Sequence, residues 1–82
     1  MNSAGKVLLI EDDPGITVML RRVLAEAGHE VALEVRGDQG LSRASRDPFD
    51  LVVTDLKLPG LDGLELVRQL HGAKPQIGRA HV

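Results

Sequence analysis

The sequence has no cysteine, tryptophan or tyrosine, and Phe49 is its sole aromatic residue. The missing cysteine excludes disulfides and thiolate metal sites. With one aromatic ring, the core has to be assembled from Val, Leu, Ile and Ala. Long apolar stretches are missing too: the run after Lys6 stops at the acids that begin with Glu11. That reads as neither a signal peptide nor a membrane span, so a cytoplasmic location is the expectation. An excess of one charge is also lacking, since ten basic and twelve acidic residues leave a net charge of −2. No basic footprint for nucleic acid or an anionic membrane follows from that balance, and contact with either is not expected. At 82 residues the chain allows one small domain whose core is marginal.

Glycine and proline divide the chain into alternating elements. Lys-Val-Leu-Leu-Ile at residues 6–10 has the length and apolarity of a strand buried on both faces. Asp13 followed by Pro14 is a helix start, with Asp as N-cap and Pro at the first helical position. Ile16, Leu20, Val23, Leu24 and Ala27 then form one apolar stripe, and Gly28 ends the helix. Residues 30–35 alternate as a second strand. A short helix follows from Gly37 to about Arg46, with Leu41 and Ala44 facing inward, and Asp47-Pro48 stops it. Residues 50–54 are a third strand ending at Asp55. Pro59, Gly60 and Gly63 mark a loop, and Leu64, Val67 and Leu70 carry a third helix to Gly72.

This alternation predicts an α/β fold with right-handed crossovers onto a parallel sheet. The strand order should be 2-1-3, with the apolar first strand in the centre. After the third helix, Ala73-Lys74-Pro75 leads toward a fourth strand, but no apolar run follows. Residues 77–82, Ile-Gly-Arg-Ala-His-Val, match the in-frame translation of a common sequencing-library adapter, with Gln76 at the join. The expected organisation is therefore a partial domain over 1–75 and an adapter-derived tail over 76–82. Such a tail contributes nothing to the core and leaves the third strand an open edge prone to aggregation.

Acids gather where this topology places ligands. Glu11, Asp12 and Asp13 follow the first strand, and Asp55 follows the third. Ligands of open parallel sheets bind at the carboxyl ends of strands. Carboxylates converging there repel one another unless a cation is bound, and hard oxygen donors suit Mg²⁺. Each acid also has a plainer reading. Asp13 before Pro14 serves as a helix cap, Glu11 and Asp12 could be solvated loop acids, and Asp55 alone could cap a turn. Only the combination points to phosphate chemistry.

Residues 7–14 read Val-Leu-Leu-Ile-Glu-Asp-Asp-Pro and resemble the opening of response-regulator receiver domains of two-component signalling. Residues 50–66, Asp-Leu-Val-Val-Thr-Asp-Leu-Lys-Leu-Pro-Gly-Leu-Asp-Gly-Leu-Glu-Leu, resemble that family's phosphoacceptor strand and the loop beyond it. The resemblance covers residues 6 to about 75. It implies a flavodoxin-like doubly wound parallel sheet, here its first three βα units, cut off before the fourth strand. It also implies that Asp55 is the phosphoacceptor, supplied by a sensor histidine kinase or phosphotransfer protein, in a signalling module rather than an enzyme. Mg²⁺ would be held directly by Asp12 and Asp55, through water by Glu11, and by the backbone carbonyl of Lys57. Pro59 and Gly63 match the family's loop residues, Pro59 stiffening the loop and Gly63 allowing close backbone approach. A homodimer is an assembly the complete protein could form. The family's Ser/Thr after the fourth strand and Lys after the fifth are not expected within these residues, so the stretch alone should be incomplete and non-functional.

Competing classes fit less well. Topoisomerase-primase enzymes and haloacid-dehalogenase phosphatases need a second Asp where this chain has Lys57, and a Rossmann binder needs glycines after the first strand, where acids stand. A receiver-like module that is never phosphorylated finds no support in residues 1–75, since every acid the chemistry needs is present.

Overall fold

The computed structural model describes residues 5–73 and 78–81. Strand β1 (Lys6–Ile10), helix α1 (Pro14–Glu26), strand β2 (Glu30–Glu34), helix α2 (Gly37–Arg46), strand β3 (Leu51–Thr54), helix α3 (Gly63–Ala73) and strand β4 (Gly78–His81) follow in order. All pairings are parallel, and the sheet order is β2-β1-β3-β4. The expected 2-1-3 order is present. β1 is central because its apolar residues supply both faces: Val7, Leu8, Leu9 and Ile10 are all buried.

Right-handed crossovers put α1 on one face of the sheet and α2 and α3 on the other, because the chain first moves outward to β2 and then reverses to β3. The core lies on the α2–α3 side, where Leu8, Ile10 and Val52 meet Ala44, Phe49, Leu66 and Leu70. Truncating Leu66 or Leu70 to Ala would cost about 2–5 kcal/mol. The boundaries of α1 arise from local chemistry. The Asp13 carboxylate accepts from the Gly15 and Ile16 amides, and Pro14 opens the helix. At the other end Gly28 has φ +93°, and the Gly28 and His29 amides donate back to Ala25 and Leu24, a Schellman cap.

Three expectations need correction. Within α1, Val23 is 56% exposed and Thr17 is buried instead, because the helix turns its Ile16–Thr17–Leu20–Leu24 side to the sheet. In α3, Leu64 is 62% exposed and Leu66 takes the core position. Most consequentially, β3 is no open edge, and the described strands number four where three were expected. Residues 78–81 form β4 beside β3, with Leu51 opposite Gly78 and Thr54 opposite His81. A parallel ladder needs only extended backbone with free N–H and C=O groups, so an apolar run is not required for pairing. The proposed lead-in at Lys74-Pro75, the join at Gln76, and Ile77 and Val82 lie outside the described residues.

Candidate phosphoacceptor and metal site

The point where the connections reverse lies between β1 and β3, and the acids stand there. β1 delivers Glu11 and Asp12 at its carboxyl end, and β3 delivers Asp55 beside them. The Asp55 amide donates to the Ile10 carbonyl at 3.1 Å, and the Glu11 amide donates to Glu34 at 3.0 Å. The sheet ladder thus fixes the backbone of both acids. One carboxylate oxygen from each of Glu11, Asp12 and Asp55 lies within 4.8 Å of the others. Unit charges at that spacing repel by roughly 3 kcal/mol per pair at an effective dielectric of about 20.

The three acids differ in exposure: Glu11 is buried, Asp55 half-buried and Asp12 exposed. Glu11 Oε2 accepts from the Asp13 amide at 3.1 Å, while the buried Oε1 has no hydrogen-bond partner among the described residues. A buried carboxylate oxygen without a donor is costly unless a cation completes it. Burial is the main force pushing the Glu11 carboxyl above the usual carboxylate range. The Asp13 amide opposes that shift, and the charges of Asp55, Asp12 and Asp13 add to it. The donor set is all hard oxygen, which suits Mg²⁺. Asp13 is committed to capping α1, as its plainer reading anticipated.

Beyond Asp55 the loop is held tightly. The Lys57 amide donates to Asp55 Oδ1 at 3.4 Å. The Gly63 amide donates to the Leu56 carbonyl at 2.9 Å, and a Cβ on Gly63 would overlap the Asp55 carbonyl oxygen. The close approach expected of Gly63 is therefore physical. The Pro59 carbonyl accepts from the Gly37 amide at 2.8 Å. Sequence reasoning assigned no role to Thr54, yet this buried residue donates its hydroxyl to the Asp55 carbonyl at 2.9 Å. Strand alternation could have placed it on the core face with Val52. At the opposite end of the sheet, a 70 Å³ cavity is lined by Lys6, Arg43, Asp47 and Phe49, and none of the three acids reaches it.

The family model for the response regulator receiver domain matches residues 7–81. The chain belongs to the response regulator receiver domain family. The match runs past residue 75, where the resemblance read from the sequence ended. Over 68 residues the receiver domain is 37% identical to the transcriptional regulatory protein TcrA of Mycobacterium tuberculosis, covering 83% of this chain and 27% of that protein. It superposes on a CheY-like receiver domain protein from Methanospirillum hungatei with a TM-score of 0.89 and 28% identity, over 96% of this chain and 63% of that one. A receiver domain of a sensor histidine kinase from Pseudomonas aeruginosa gives a TM-score of 0.89 at 26% identity, over 96% of this chain and 66% of that one. That neighbour holds a magnesium ion coordinated in its active site cleft. The receiver domain described here thus spans just under two-thirds of these solved relatives' length. Among its described residues, no helix is long and apolar enough to cross a membrane.

Proposed function

We propose that Asp55 is the phosphoacceptor of this receiver domain, taking its phosphoryl group from a phosphohistidine on a sensor histidine kinase or phosphotransfer protein. The observation that carries this is the convergence of Glu11, Asp12 and Asp55 at the carboxyl ends of β1 and β3. A carboxylate oxygen of Asp55 attacks phosphorus in line. A P–O bond forms as the P–N bond to the donor imidazole breaks, and the imidazole leaves with the electron pair. The chain is a stoichiometric acceptor in this reading, not an enzyme, and it acts in the cytoplasm.

The anionic phosphoryl group has to enter a cluster of carboxylates. Mg²⁺, when bound, supplies the neutralising charge, and its holders would be Asp12, Asp55, Glu11 through water, and the Lys57 carbonyl. The unpartnered Oε1 of Glu11 and the magnesium in the Pseudomonas aeruginosa receiver support that assignment. The remaining residues hold Asp55 in place. Thr54 and Gly63 fix its peptide from two sides, and the Lys57 amide occupies Oδ1.

A small phosphodonor with Mg²⁺ tests the assignment, with peptide mapping by mass spectrometry. One phosphoryl group should appear on Asp55 and should vanish in Asp55→Asn or without Mg²⁺. Label on Asp12 or Asp13 would overturn the mechanism. Labelling should be slow in these 82 residues, because the family's later Ser/Thr and Lys are not among them. Residues 76–82 are adapter-derived in this reading. Source DNA that encodes the same seven residues within a longer receiver gene would end that part of it.

A further inference from the structure

The loop leaving Asp55 is braced at a second place, against the start of α2. The Gly37 amide donates to the Pro59 carbonyl at 2.8 Å, and a Cβ on Gly37 would overlap the Leu61 carbonyl oxygen. Between these contacts Gly60 adopts φ +91°. Its backbone lies against a two-pronged ion pair, Arg36 Nε to Asp38 Oδ1 at 3.1 Å and Arg36 Nη2 to Asp38 Oδ2 at 3.2 Å. A Cβ on Gly60 would overlap Asp38 Oδ1 and come within 2.8 Å of Arg36 Nη2. Arg36 holds the exposed Asp38 carboxyl below its usual range, and the Gln39 amide donates to it as well.

We infer that the Arg36–Gly37–Asp38 corner is a positioning device that holds the Lys57 backbone against Asp55. The physical reason is reach. Pro59 is two residues beyond Lys57, so its carbonyl anchor leaves Lys57 little freedom. Arg36 stands at the N-cap of α2, where a guanidinium, being all donor, cannot cap the helix amides, and its two hydrogen bonds go to Asp38 instead. A planar guanidinium paired fork-to-fork with a carboxylate makes a flat support for a glycine backbone. The consequence for the site rests on the function proposed above: the corner presets the loop that would complete the Mg²⁺ shell.

Charge and positioning predict different outcomes, so the pair can be separated by two truncations. By charge alone, Asp38→Ala should weaken Mg²⁺ binding and Arg36→Ala should strengthen it. If the corner positions the loop, both should weaken binding, by about threefold, in keeping with an exposed pair. NMR of the 82-residue chain reads both effects, since a Mg²⁺ titration gives affinity and amide hydrogen exchange gives loop order. Exchange at the Lys57 amide should speed up in both variants without Mg²⁺, while the Asp55 amide, bonded to Ile10 in the ladder, stays protected. Asp38→Glu should recover part of the loss. Opposite signs for the two truncations, or an unchanged Lys57 amide, would overturn the positioning role. Failure of the unaltered chain to bind Mg²⁺ would instead sink the functional reading, and the exchange data would still decide the brace.

Discussion

Asp50 and Asp55 bracket the same strand and have opposite circumstances. At the amino end of β3, Asp50 Oδ2 accepts from the Lys6 amide at 2.8 Å. His29 Nδ1 accepts from the Gly5 amide on the other side of β1 at 3.2 Å. Nearby, Arg43 pairs with Asp47, and Lys6 and Arg43 lie 5.9 and 6.0 Å from the Phe49 ring centroid. Asp50 and Asp47 at this end are each met by a donor or a cation. At the carboxyl end, three carboxylates face one another and a buried oxygen of Glu11 has no donor among the described residues. One end of the sheet is finished by the chain itself, and the other gathers carboxylates that the described residues leave unmatched.

The largest expected effect separates the two aspartates. Asp55→Asn should abolish phosphoryl labelling with little loss of stability, as judged by mass spectrometry and thermal unfolding. Next, Asp12→Asn should weaken Mg²⁺ binding, measured by calorimetry. The loss should be at least as large as the roughly 10- to 100-fold typical when groups outside the ligand shell are changed. Third, Glu11→Gln should raise the stability of the metal-free chain at neutral pH by about 1 kcal/mol, the lower end of the cost of an unsatisfied buried polar group. The sign follows from linkage. The folded-state pKa of Glu11 lies above its ordinary 4.5, so the folded chain binds more protons just above that pH. Stability should therefore fall as pH rises from 4.5 through the raised value, and the fall should vanish in the Gln variant. The smallest effect belongs to the finished end. Asp50→Ala should cost about 1 kcal/mol through the lost Lys6 bond and leave Mg²⁺ affinity unchanged.

Much of this contrast was legible in the sequence, and the illegible parts share a cause. β1, the caps of α1 and the 2-1-3 order follow from local signals: an unbroken apolar run, Asp13-Pro14, Gly28 and the handedness of crossovers. The meeting of Glu11, Asp12 and Asp55 follows from where parallel strands end. Helix rotation was less visible. Leu64 and Leu66, or Val23 and Thr17, compete for the inner face, and packing against a particular sheet decides between them. β4 was missed because backbone pairing carries no hydropathy signal in residues 78–81. The Arg36–Asp38 brace was missed because its partner, Gly60, is distant in sequence and contributes only backbone.

A Mg²⁺ titration of the metal-free chain, followed by side-chain carboxyl ¹³C shifts, tests the central claim most directly. The account predicts that Glu11, Asp12 and Asp55 shift together with a single midpoint, while Asp13 and Asp50 hold still because backbone amides already satisfy them. Separate midpoints for the three acids, or a response from Asp13 and Asp50 as large as theirs, would contradict it.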